Sequence, residues 1–195
     1  MTHYADYLFL LSPPANIKHE IERYKKASVK HIGEFASMAS PAHITINQVD
    51  RQKPYMVDAA LEQMQRRIQA MPPVLLHLDG FKYFPHLHSK FTIYAYIRNT
   101  PAVDEWFNQL RKSLNIKKAF VPHITVVRNI SEADFNKLWP HFKNKKLLEP
   151  FWINELKVLQ RETFGNSQKW EAFKTFRLKE ASGFEKADID QSKLF

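Results

Sequence analysis

The sequence predicts an α+β protein, with antiparallel or mixed sheets on the inside and helices on the outside. Strand-like alternation and helix-like apolar stripes succeed one another along the chain, as in proteins that pack sheet and helix as layers. Prolines punctuate these segments, among them Pro13, Pro14, Pro41, Pro54, Pro72, Pro73, Pro101 and Pro122, where a fixed φ and a missing N–H open or end an element. One four-residue pattern also occurs twice, at residues 43–46 and 123–126, so the two halves of the chain read as related.

The elements follow in order. The apolar run 7–11 stops at Ser12-Pro13-Pro14 and reads as a buried strand. Ile17, Ile21 and Tyr24 recur at helical spacing, predicting a helix over 15–26, and residues 28–40 read as loop. Residues 43–48 alternate polar and apolar as a strand does, and Ala60, Leu61, Met64, Ile68 and Met71 make one stripe of a helix over 57–71. Strands follow at 75–84 and 91–97. Thr100 and Pro101 then suit the cap and first position of a helix whose buried stripe is Val103, Trp106, Phe107, Leu110 and Leu114. A strand over 119–128 precedes a helix over 132–143, opened by Ser131 and Asp134 as a capping pair. Two last strands, 151–161 and 170–178, flank a turn at Gly165-Asn166. The reading is one domain over 1–179, with 180–195 as a C-terminal tail.

Composition excludes more than it assigns. Hydrophobic residues at 44% and charged residues at 25% suit a folded globular chain. The absence of cysteine removes disulfides, thiolate metal sites and thiol nucleophiles. The run 7–11 is too short for a secretion signal or a membrane span, so the expectation is a cytoplasmic protein with no membrane association. A formal charge of +9 favours an anionic partner such as RNA or a nucleotide. No segment suggests an obligate protein partner, and a monomer is expected. Four glycines and no phosphate-cradling loop argue against a mononucleotide-binding loop, and His86, His88 and Asp79 make only a weak metal pattern. Neither a metal nor another cofactor is expected.

His43-Ile44-Thr45-Ile46 and His123-Ile124-Thr125-Val126 carry the chemistry. A shuffled chain with nine histidines would hold roughly 0.06 copies of this pattern, so two copies are a signal. On a strand, residues two apart share a face, so each histidine stands beside its own threonine while the residue between them enters the core. If the two strands meet, two imidazoles and two hydroxyls surround one space sized for a phosphate. One neutral imidazole can then accept a proton while the other, protonated, donates one, each transfer being worth about 10²–10⁴ in rate. The hydroxyls can donate to the phosphate oxygens.

These motifs, with residues 7–14 as an opening strand ending in proline and residues 120–125 before the second motif, resemble the two-histidine phosphoesterase superfamily. The likeness is specifically to its RNA 2′,3′-cyclic phosphodiesterase and 2′-5′ RNA ligase branch. The resemblance covers most of residues 4–178. It implies two intertwined lobes related by a pseudo-two-fold axis about a basic groove. It also implies metal-independent hydrolysis of 2′,3′-cyclic phosphates on RNA ends or nucleotides, with 2′-5′ ligation as a possible companion activity. His43, Thr45, His123 and Thr125 match the catalytic motif, without telling acid from base. Arg128 stands where relatives carry an arginine for phosphate, although an unbroken strand would turn it away from Thr125. Tyr7 stands where an aromatic residue can stack on a base or ribose. The first motif continues as Asn47-Gln48-Val49, where close ligase-like members often have Phe-Leu-Gly. The alternatives are a non-catalytic RNA-binding module and a phosphodiesterase for another small cyclic phosphate, such as ADP-ribose cyclic phosphate.

Overall fold

A computed structural model describes residues 4–165 and 169–179. The element order is β1 (Ala5–Leu11), α1 (Ala15–Ile32), β2 (Ile44–Gln52), α2 (Pro54–Gln69), β3 (Val74–His86), β4 (Lys90–Ile97), α3 (Pro101–Ser113), β5 (His123–Ser131), α4 (Glu132–Leu138), β6 (Pro150–Ile153), β7 (Glu155–Glu162) and β8 (Glu171–Arg177). The strands form two four-stranded sheets, ordered β2-β1-β7-β8 and β5-β4-β3-β6. Every pairing in them is antiparallel. The tail over 180–195 lies outside the described residues.

The two halves exchange strands. β3, from the first half, completes the sheet of β4 and β5, while β7, from the second, completes the sheet of β1 and β2. The chain crosses between sheets at Asn154, whose carbonyl accepts from Leu178 N at 2.8 Å, so the strand expected over 151–161 is really β6 and β7 in different sheets. The apolar pattern runs through both and could not show the break.

Local chemistry explains most boundaries. Thr100 Oγ1 accepts from Val103 N at 3.3 Å and Pro101 opens α3. Ser131 Oγ accepts from Asp134 N at 3.1 Å and donates to the Asp134 carboxylate at 2.7 Å, so the cap is a mutual side-chain pair. α4 ends earlier than expected, because Pro140 brings no N–H and a single 3₁₀ turn, Trp139–His141, takes over. α1 runs to Ile32, beyond the expected 26, and stops at Gly33 with φ of 73°. Its last turns face inward through Ser28, which is buried and donates to Tyr24 O at 2.8 Å. β5 starts at His123, later than the expected 119, and continues to Ser131. The core lies on one face of each sheet under the helices, with Ile44, Ile46, Ile124 and Val126 among its members. α1 packs on β5 and α4, α2 on α3 and β8, and α3 on β3.

Candidate active site

The two motif strands, β2 and β5, pack against each other across the groove between the sheets. His43 immediately precedes β2 and His123 opens β5. Both rings are half-buried and held in the same way. His43 Nδ1 lies 2.8 Å from Pro41 O, and His123 Nδ1 lies 2.7 Å from Val121 O. A carbonyl can only accept, so each Nδ1 carries a hydrogen and the neutral ring presents Nε2 as its proton acceptor. Two carbonyls, each two residues upstream of its histidine, thus set one tautomer in both halves.

The electrostatics tie the groups together. Burial is the first reason that each imidazole is held below the ordinary histidine range, and the bond from Nδ1 partly offsets it. Positive charge on Arg128 pushes both rings further down, Lys25 acts on His43, and a charged His43 acts on His123. The two rings and Arg128 therefore share one electrostatic neighbourhood.

A β-bulge brings Arg128 there. On β4, Tyr94 pairs with Thr125 and Ile93 with Val127, so two residues of β5 advance against one. Val126 and Val127 are both fully buried, and the alternation inverts beyond them, turning Arg128 to the face of His123 and Thr125. The parity objection raised by an unbroken strand is removed. β2 carries the same irregularity, for Leu10 pairs with Thr45 and Phe9 with Asn47. Gln48, exposed and paired with Leu8, thus occupies the place that Arg128 holds in the other half.

Tyr7 is placed elsewhere. It is 0% exposed, belongs to the core cluster, and meets Phe173 edge-on with ring centroids 5.2 Å apart. Because side chains alternate across β1, Tyr7 turns away from the groove that its neighbours Leu8 and Leu10 line, so no base can stack on it. The aromatic residues near the histidines are Phe84 and Tyr94. Their rings stack at 4.2 Å, and each lies 5.0 Å from the His123 ring.

The loop after α1 supplies groups that the motifs did not reveal. Lys25 of α1 is 3% exposed, and its Nζ donates to Ser37 O at 2.8 Å and Ser40 O at 2.7 Å. Burial lowers its pKa to about 8, with Glu22 opposing. Beside Arg128 the groove widens into a cavity of about 640 Å³. It is lined by Ser37 and Ser40 from the loop after α1, His86 of β3, Thr92 of β4, and Arg128 and Asn129 of β5. His86 bonds Thr92 at 2.9 Å and Asp79 pairs with Arg98 at 3.2 Å, so the weak metal pattern is dispersed.

Two strand-exchanged antiparallel sheets, each delivering a His-x-Thr strand to a common groove, define a two-histidine phosphoesterase fold. The model of the 2′-5′ RNA ligase superfamily matches residues 13–164, and the chain belongs to that superfamily. A Staphylococcus aureus (strain Newman) protein that bears a provisional phosphoesterase name is 25% identical over 171 residues, covering 86% of this chain and 96% of the relative. Among solved structures, E. coli LigT complexed with 3′-AMP has a TM-score of 0.63 at 19% identity, over 91% of this chain and 99% of that one. TT0787 of Thermus thermophilus has a TM-score of 0.63 at 14% identity, over 90% and 100%. These two share the fold. Among the described residues no helix is long and apolar enough to cross a membrane.

Proposed function

We propose that the chain is a metal-independent phosphodiesterase that opens 2′,3′-cyclic phosphates on RNA ends or nucleotides, with His43 and His123 as its acid/base pair. The observation that carries this reading is the matched anchoring of both rings through Nδ1, which presents an Nε2 from each half. Water attacks phosphorus while one neutral Nε2 takes its proton. The P–O3′ bond breaks as the other ring, protonated, gives a hydrogen to O3′, leaving a 2′-phosphate and a 3′-hydroxyl. Thr45, Thr125 and Arg128 hold the non-bridging oxygens, whose charge grows in the transition state. With an RNA 5′-hydroxyl in place of water the rings keep the same roles: O5′ gives up its proton and bonds to phosphorus as the P–O3′ bond breaks, and a 2′-5′ linkage forms. The nucleotide in the E. coli LigT complex agrees with a nucleotide-sized groove, and a charge of +9 suits an anionic substrate such as an RNA end; the enzyme is read as cytoplasmic and as working without a protein partner.

The test is turnover of a 2′,3′-cyclic mononucleotide and a cyclic-phosphate-ended RNA in EDTA, by wild type, His43→Ala and His123→Ala. Wild type is expected to turn over and each variant to lose about 10²–10⁴ in rate. RNA binding without turnover in wild type would instead favour a non-catalytic RNA-binding module.

A further inference from the structure

The cavity beside Arg128 is larger than one phosphate requires, and its lining has a consistent chemistry. It measures about 640 Å³, within the range that encloses a drug-sized ligand. Among the described residues no carboxylate lines it; its charged group is Arg128, and its other polar groups come from Ser37, Ser40, His86, Thr92 and Asn129. Thr92 Oγ1 accepts from Asn129 N at 3.2 Å and lies 2.9 Å from His86 Nε2. A hydroxyl can both donate and accept, so this bond holds the His86 ring through Nε2 and leaves Nδ1 free to face a ligand. Leu87, at the tip of the β3–β4 hairpin, lines the same cavity with 84% of its surface exposed. An apolar side chain beside phosphate-type donors is the combination that a nucleotide needs.

The strand register orders these groups along the second sheet. Tyr96 pairs with His123 and Tyr94 with Thr125, so Thr92, two residues further along β4, lies beyond the motif, level with Arg128 and Asn129. The cavity therefore begins, past Arg128, next to the place where a phosphate at His123 and Thr125 would sit. A mononucleoside cyclic phosphate, with one phosphate, leaves the cavity empty.

We infer that this cavity is a subsite for the nucleotide preceding the cyclic-phosphate end, taking its phosphodiester and part of its base, so that RNA ends are preferred over mononucleotides. This rests on the cyclic phosphodiesterase reading. Arg128 serves both phosphates, while His86, Asn129 and Leu87 serve only the second.

The experiment compares kcat/KM for a 2′,3′-cyclic mononucleotide and for a dinucleotide ending in a 2′,3′-cyclic phosphate. The variants are His86→Ala, Leu87→Glu and Leu87→Lys. Wild type is expected to favour the dinucleotide about tenfold or more, the effect of one hydrogen bond to a charged group. His86→Ala and Leu87→Glu should remove most of that preference and leave the mononucleotide rate unchanged, whereas Leu87→Lys should retain it. Leu87 is exposed enough for either change to be made without loss of packing. Equal rates on both compounds in wild type, or variants that slow both alike, would overturn the subsite. If neither compound turns over, the hydrolase reading fails alone, and calorimetry with the mononucleotide and dinucleotide 3′-phosphates decides the cavity. A tenfold gap in Kd that Leu87→Glu abolishes supports the subsite; equal Kd values overturn it.

Discussion

The Ser37 hydroxyl accepts a hydrogen bond from the Arg128 backbone N–H at 3.0 Å, and the two residues are 91 positions apart. The same oxygen donates to Val126 O at 3.3 Å. Ser37 therefore closes both ends of the bulge that aims Arg128 at the groove. Ser37→Ala is expected to lower stability by about 1–3 kcal/mol, the cost of leaving buried backbone groups unpaired. The thermal midpoint should fall, and KM should rise as Arg128 loses its register. An unchanged midpoint and KM would show that the bulge holds without this bond.

Arg128 carries a fixed charge that both imidazoles feel. Arg128→Met is expected to lower kcat/KM by tenfold to a hundredfold, corresponding to roughly 1.5–3 kcal/mol for a bond to a charged oxygen. It should also move the pH profile to higher pH, since removing a positive neighbour raises both histidines. A rate loss without that shift would place Arg128 far from the rings.

The two histidines give the wild type its pH behaviour. Both are lowered from the ordinary value, first by burial, so kcat/KM should be bell-shaped with its optimum on the acid side of ~6.5. The same shift bears on folding. The unfolded chain binds more protons than the folded one as pH falls below about 6.5, so stability should decline from neutrality toward pH 5. His43→Gln and His123→Gln should each flatten that decline in denaturant titrations. A slope equal to wild type in both variants would refute the assignment.

Tyr7 buries its hydroxyl without a hydrogen-bond partner, and burial holds its pKa above the ordinary phenol value. Tyr7→Phe removes that unsatisfied group and keeps the ring against Phe173. Stability should stay level or rise by up to about 1 kcal/mol, with kcat/KM unchanged. A tenfold loss of activity would restore a role in substrate contact.

These sites differ in how legible they were in the sequence. The histidines and threonines stood out because a strand with one wet face alternates visibly, and because the pattern is repeated. β1 hides its own parity. All seven of its residues are buried, so nothing in the run distinguishes the groove face of Leu8 and Leu10 from the core face of Tyr7. Arg128 was readable as a residue but not as a direction, since a bulge is fixed by the partner strand and not by the bulged one. Lys25 was one of the charges between the apolar positions of the expected helix, and Ser28 fell in the expected loop. In the fold they are its inward face, with Lys25 bonded to the carbonyls of a loop at least twelve residues away. The α+β class and its layers were legible from periodicity alone; the crossing at Asn154 was not, because one apolar rhythm serves two sheets.

The lending of β3 to one sheet and β7 to the other has a consequence for how the molecule can be taken apart. Severing the chain at the tip of the β3–β4 hairpin would give two fragments, each holding one motif histidine, the first without β7 and β8 and the second without β3. Neither piece could close its own sheet. Mixed together they could restore both, so any activity would return only on reassembly, as a bimolecular process whose rate reports the docking of the exchanged strands.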